Sequence, residues 1–128
     1  MNPIVAEWME KARRDRSTAG REFRARPDPN FDAVCFHAQQ SVEKLMKAVL
    51  IEHGHTPART HNLVTLNDDL VSVCGDWAGA ADDLRLLSLA AVQFRYPGAS
   101  ATEEDARQAL AACDRVRQAL LTLLPRPN

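Results

Sequence analysis

One stretch of this chain gathers the side chains most able to do chemistry. Between Asp28 and Glu52 the positions Ala33, His37, Gln40, Lys44 and Lys47 recur three or four apart, so they share a stripe on one helix. That stripe is chemically mixed, unlike a solvated face of Glu and Lys. Two ammonium groups, an imidazole and an amide suit a phosphate or a base edge; they also suit a polar seam between subunits. A second tempting set is His53, His55 and His61. Its spacing matches no closed zinc pattern, so no metal site is expected, and His61 with Thr60 is expected to hold the loop and cap the following helix. Cys35 and His37 are two apart and point to different faces, so they form no nucleophilic pair. There is no Gly-rich phosphate loop, no HExxH and no G-x-S-x-G, and no cofactor is implied.

The elements that must position these residues are helices. At 128 residues the chain is expected to be one domain, 1–128, large enough to bury a real core. Hydrophobic residues at 45% and charged residues at 26% exclude disorder, and aromatics at 5% leave Leu, Ala and Val to fill the core. The second helix is read as Asp28–Glu52, with Asp28 as cap, Pro29 at the first helical position and Gly54 as the stop. Its inner face carries Phe31, Val34, Cys35, Ala38, Val42, Leu45 and Val49. The first helix, Pro3–Phe23, is capped by Asn2 and lines up Val5, Trp8, Met9, Ala12, Ala19 and Phe23. Asp15 falls on that apolar stripe. It must be solvated or paired, either with a base of the second helix or as the group orienting a functional Arg or His. Two prolines in Arg26–Asn30 force a loop, giving an antiparallel hairpin.

A short third helix, Leu63–Val73, follows, with Leu63, Leu66, Leu70 and Val73 inward. The fourth is read as Trp77–Phe94, capped by Asp76. Its Leu84, Leu86, Leu87, Leu89, Ala90, Ala91, Val92 and Phe94 point nearly all round the axis, which predicts burial on every side, one of them by another subunit. The fifth opens at Ser100 or Thr102 and is ended by Pro125 and Pro127. The architecture expected is all-α, a five-helix up-and-down bundle. Cys35 and Cys113 are expected as core residues. Net charge is −1, so nothing global attracts a polyanion, although residues 1–26 are basic and 62–84 acidic. The opening MNPIVAEWMEKARR is no signal peptide and no run approaches a membrane span; a cytoplasmic protein that does not enter the membrane is expected.

The pieces His37-Ala-Gln-Gln40, Glu43-Lys44, Lys47, Gly54, Pro57, Thr60-His61-Asn62-Leu63 and Arg95-Tyr96-Pro97, with Trp8 and ARRD ending at Asp15 before them, carry a likeness. Together they resemble the HEPN domain family over about residues 5–120. The resemblance implies a small helical, often dimeric module that cleaves RNA or binds nucleotides. It also implies a role of toxin–antitoxin type beside a minimal nucleotidyltransferase partner. Nuclease members carry Arg and, four to six residues on, His. Arg95 stands where that Arg is expected, but Ser100, Ala101 and Thr102 follow it and no His does. The resemblance therefore adds Arg95 and Tyr96 to His37, Gln40, Lys44 and Lys47 as a ligand or phosphate site, supported by Asp15, with no catalytic residue assigned. Nucleotide or RNA binding in a homodimer, with nuclease activity degenerate or absent, is the leading expectation. A metal-independent endoribonuclease toxin and a dimeric, non-enzymatic adaptor are the alternatives.

Overall fold

A computed structural model describes residues 1–126; Pro127, expected to help end the last helix, lies outside them. Five helices follow in order: α1 (Pro3–Arg24), α2 (Phe31–Glu52), α3 (Leu63–Val73), α4 (Ala81–Gln93) and α5 (Glu103–Leu121), with no strand among the described residues. The all-α expectation holds.

The side-chain register gives the topology. Phe23 meets Phe31, Asp15 meets His37, Ser41 Oγ donates to the Ala12 carbonyl, and Lys47 lies over Trp8. Numbers rise on one helix as they fall on the other, so α1 and α2 form the antiparallel hairpin. Arg95, just past α4, reaches Phe36 near the start of α2, so α4 runs against α2. Arg115 grips Asp83 and sets α5 against α4. Arg16 ties α1 to Asp114 of α5 at 2.6 and 3.0 Å. The second helix is the centre of the bundle, with Val34, Cys35, Ala38, Val42, Leu45, Met46, Ala48, Val49 and Leu50 essentially inaccessible.

Caps explain most boundaries. Asn2 accepts from Ile4 N, with Pro3 beside it at the helix start. Gly54, at φ +81, occupies the left-handed conformation that stops α2. Two starts differ from the sequence reading. The cap of α2 is Asn30, which accepts from Ala33 N, not Asp28. Its own N–H donates to Glu22 of α1 at 3.0 Å, which holds the connection extended up to that residue. The start of α4 is Ala81 rather than Trp77, without a side-chain cap. Gly79 at φ +79 interrupts any helix there, and Trp77 turns inward to donate its indole N–H to Asn67 at 2.7 Å. Of the two starts expected for the fifth helix, Ser100 and Thr102, the structure takes Thr102, in a reciprocal capping box with Asp105. Asn62, not Thr60 or His61, caps α3, while Thr60 accepts from Asn62 N.

The fourth helix is not buried all round within one chain. Leu84, Leu87, Ala90 and Ala91 face in, while Leu89 and Val92 stay 67% and 61% exposed. An apolar sequence pattern reports which side chains avoid water when a cover exists; it does not supply the cover. All three cysteines are buried and unbridged, and burial pushes the Cys35 and Cys113 thiols up to about 11.

Candidate functional site

One face of α2 is left partly open between α1 on one side and α3 with α4 on the other, and the polar stripe lies there. Asp15 is only 9% exposed. One of its oxygens lies 2.8 Å from His37 Nδ1 and the other accepts from Lys44 Nζ at 2.6 Å. Asp15 is thus paired with bases of α2, Lys44 and the ring of His37. A carboxylate only accepts, so Nδ1 carries the His37 proton and Nε2 is left as the ring's second functional nitrogen.

Arg95 reaches the same face from the end of α4. Its guanidinium carbon lies 5.5 Å from the Phe36 ring centroid, and the His37 ring meets Phe36 edge-on with centroids 5.3 Å apart. Phe36 is thus a platform between the two, and the sequence reading missed it. No carboxylate of the described residues lies within 4.0 Å of Arg95. Tyr96 is 64% exposed beside it. Gln40 donates to Gln39 at 2.9 Å.

Lys47 is placed elsewhere in function. Its ammonium pairs with Glu43 at 3.2 Å, side chains 10% and 3% exposed, and packs over Trp8. Glu43 also accepts from Gln39 at 3.4 Å and sits 3.1 Å, by either oxygen, from His61 Nδ1. Gln39 Nε2 lies 3.2 Å from the His61 carbonyl. This buried carboxylate therefore fastens the loop before α3 to the middle of α2. The loop-holding role expected of His61 is what this geometry provides. The signal for Glu43 was there: a Glu-Lys pair four apart on a helix apolar elsewhere, directly before Leu45 and Met46.

His61 does more than hold a loop. With its Nδ1 on Glu43, its ring remains largely exposed and borders a cleft of about 320 Å³. Gln39, Asn62, Ser88, Val92 and Arg95 line the same cleft. The buried hydroxyl of Ser88 has no hydrogen-bond partner among the described residues. A guanidinium, an imidazole and a hydroxyl bordering one cleft suit a phosphate group chemically. The other two histidines go to different places. His53 Nε2 lies 3.1 Å from the Leu123 carbonyl, and His55 faces Asp69 at 3.9 Å. No group of metal-ligating side chains occurs among the described residues. No helix among them is long and apolar enough to cross a membrane.

The segment after Arg95, where a nuclease member would carry its His, is tied to the second helix by Ala101 N donating to Asp32 at 2.6 Å. Comparison with known proteins agrees with the fold. No curated protein matches the chain. A crystal structure of ST0689, an archaeal HEPN homologue, is 23% identical with a TM-score of 0.68, covering 92% of this chain and 95% of that one. TT1696 from Thermus thermophilus is 20% identical with a TM-score of 0.73, covering 97% of this chain and all of that one. The HEPN domain model matches residues 5–123, nearly the whole chain, and the protein belongs to the HEPN domain family.

Proposed function

We propose that this is a HEPN protein of toxin–antitoxin type that binds a nucleotide or RNA phosphate on the open face of α2, with cleavage slow or absent. The observation that carries the reading is Arg95, a guanidinium stacked on Phe36 and clear of every described carboxylate. A planar fork of donors held by an aromatic ring is ready for a phosphate's paired oxygens. Lys44 contributes less, because Asp15 already neutralises it. Lys47 serves the buried Glu43 pair. The partner the family resemblance implies is a minimal nucleotidyltransferase.

A metal-independent ribonuclease is the second reading, and one observation favours it. His61, fixed on Glu43, borders the cleft that Arg95 lines, and so brings an imidazole near the guanidinium from a distant part of the chain. Purified protein should be tested with a mixed RNA pool in chelator, and for nucleotide binding, beside Arg95→Ala, His37→Ala and His61→Ala. The expected result is no strong cleavage, with nucleotide affinity falling about 10–100-fold in Arg95→Ala, the worth of a charge-assisted bond at about 1.5–3 kcal/mol. Robust wild-type cleavage, lowered about 10²–10⁴-fold by loss of His37 or His61, would replace the binding reading with the nuclease. Neither binding nor cleavage would leave the non-enzymatic adaptor.

A homodimer is part of the proposal. Leu89 and Val92 are three apart on α4 and both exposed, so they make one apolar strip, and Val92 also borders the Arg95 cleft. A second copy on this strip would cover α4 and extend the cleft. Sedimentation of the wild type should give twice the 14.2 kDa chain mass, and Leu89→Glu should shift it to the monomer. A wild-type monomer at tens of micromolar, a roughly chosen range for a specific interface, would remove the dimer from the proposal.

A further inference from the structure

A second cleft lies on the opposite side of α2. Leu45 is nine residues from Phe36, two and a half helical turns, so it points away from the Arg95 face. With Ala6 and Met9 of α1 and Leu121 of α5 it walls a space of about 330 Å³, and Arg117 reaches in from α5.

Arg117 is half-buried, and its Nη1 donates to Ser41 Oγ at 2.9 Å. Ser41 in turn gives its proton to the Ala12 carbonyl at 2.7 Å, so its hydroxyl is fixed as an acceptor. Among the described residues this is the guanidinium's one hydrogen bond, out of five possible donors. The nearby carboxylates are engaged. Asp114 is taken by Arg16 at 2.6 and 3.0 Å. Glu10, at the rim, is held by Arg13 at 2.6 and 2.9 Å and by Arg14 at 3.2 Å. Burial lowers the pKa of Arg117, and the nearby Asp114 charge partly opposes that shift. Arginine does not give up its proton in proteins, so the charge persists. The guanidinium is only half-buried and water can reach it, but it has no ion pair among the described residues, and an anion entering the cleft would supply one.

The walls define the rest of that anion. Met1, Ala6, Met9, Leu45 and Leu121 supply mainly aliphatic and thioether surface, and Glu10, Arg13 and Arg117 are the charged members of the lining. A multiply charged phosphate would desert its hydration for apolar surface, at large cost. A planar carboxylate on a hydrocarbon body meets both the guanidinium fork and the walls. The volume sits at the lower end of small-molecule sites, which run about 300–1,000 Å³.

We propose that the α1–α5 cleft binds an apolar monocarboxylate of medium chain length, its carboxylate on Arg117 and its chain along Met9 and Leu121. The test is calorimetric titration of the full chain with octanoate below its micellar concentration, beside octanol and inorganic phosphate. One saturable octanoate per chain is expected, with octanol and phosphate at least about tenfold weaker. Arg117→Met should lose octanoate binding by the same factor while its Tm stays equal to or above that of the wild type, because it removes a half-buried cation without a carboxylate partner. Arg95→Ala should bind octanoate as the wild type does, which separates this site from the phosphate face. If Arg117→Met does not fold, Leu121→Glu, at a half-exposed position on the wall, decides in its place by setting a like charge against the ligand. No saturable octanoate binding, equal binding of octanol or phosphate, or binding that survives both substitutions would overturn the proposal.

Discussion

Glu43→Ala is expected to destabilise the protein by about 3–5 kcal/mol, the cost of removing one partner from a buried ion pair. The effect is large because Glu43 is alone in what it does. Its carboxylate, 3% exposed, receives the Lys47 ammonium, the Gln39 amide and the His61 ring. Truncation strands Lys47 between Trp8 and the α2 backbone, with a side chain only 10% exposed. It also unfastens the loop before α3, so the Arg95–His61 cleft should loosen with it. Urea unfolding followed by circular dichroism should show the lowered midpoint. The double variant Glu43→Met with Lys47→Met should recover much of the loss, since an apolar pair of similar volume leaves no charge behind. A single Glu43→Ala change worth less than about 1 kcal/mol would mean that Lys47 finds water and that the pair is ordinary surface chemistry.

Leu50→Ala should be nearly as damaging, at about 2–5 kcal/mol. Leu50 is wholly buried near the end of the central helix, and truncation there leaves a cavity that a close-packed interior closes only in part. The informative comparison is Leu89→Ala on α4. It deletes the same group from a position 67% exposed, and its cost should stay within about 0.5 kcal/mol in the monomer. Urea midpoints at an unchanged m-value would measure both. A Leu89→Ala loss comparable to that of Leu50→Ala, varying with protein concentration, would place Leu89 under a second copy of the chain.

Much of the fold was legible in the chain. Local signals set α1 within a residue and stopped α2: Asn2 before Pro3, and Gly54 past the end of α2. These are contests between neighbours in sequence, so sequence decides them. Asp15 was legible for the same kind of reason, since a carboxylate on an apolar stripe announces a partner. His37 and Lys44 are the partners found.

The failures share a different cause. Asp28 and Pro29 carry a helix-start signal, but the helix opens at Asn30, whose N–H is held by Glu22 of another helix. Asp76 promised a cap for α4, but the indole of Trp77 is drawn to Asn67 and the helix waits until after Gly79. Lys47 read as part of the phosphate-binding stripe; the loop carrying His61 and the packing of Trp8 bury it instead in a pair with Glu43. Phe36 became a platform because α4 runs against α2 and delivers Arg95 to it. Hydrophobic period and caps act over a turn or two of helix, which is as far as a sequence pattern reaches. Which face is covered, and which charge loses its water, depends on groups from distant parts of the chain, and only the packed tertiary structure brings those together.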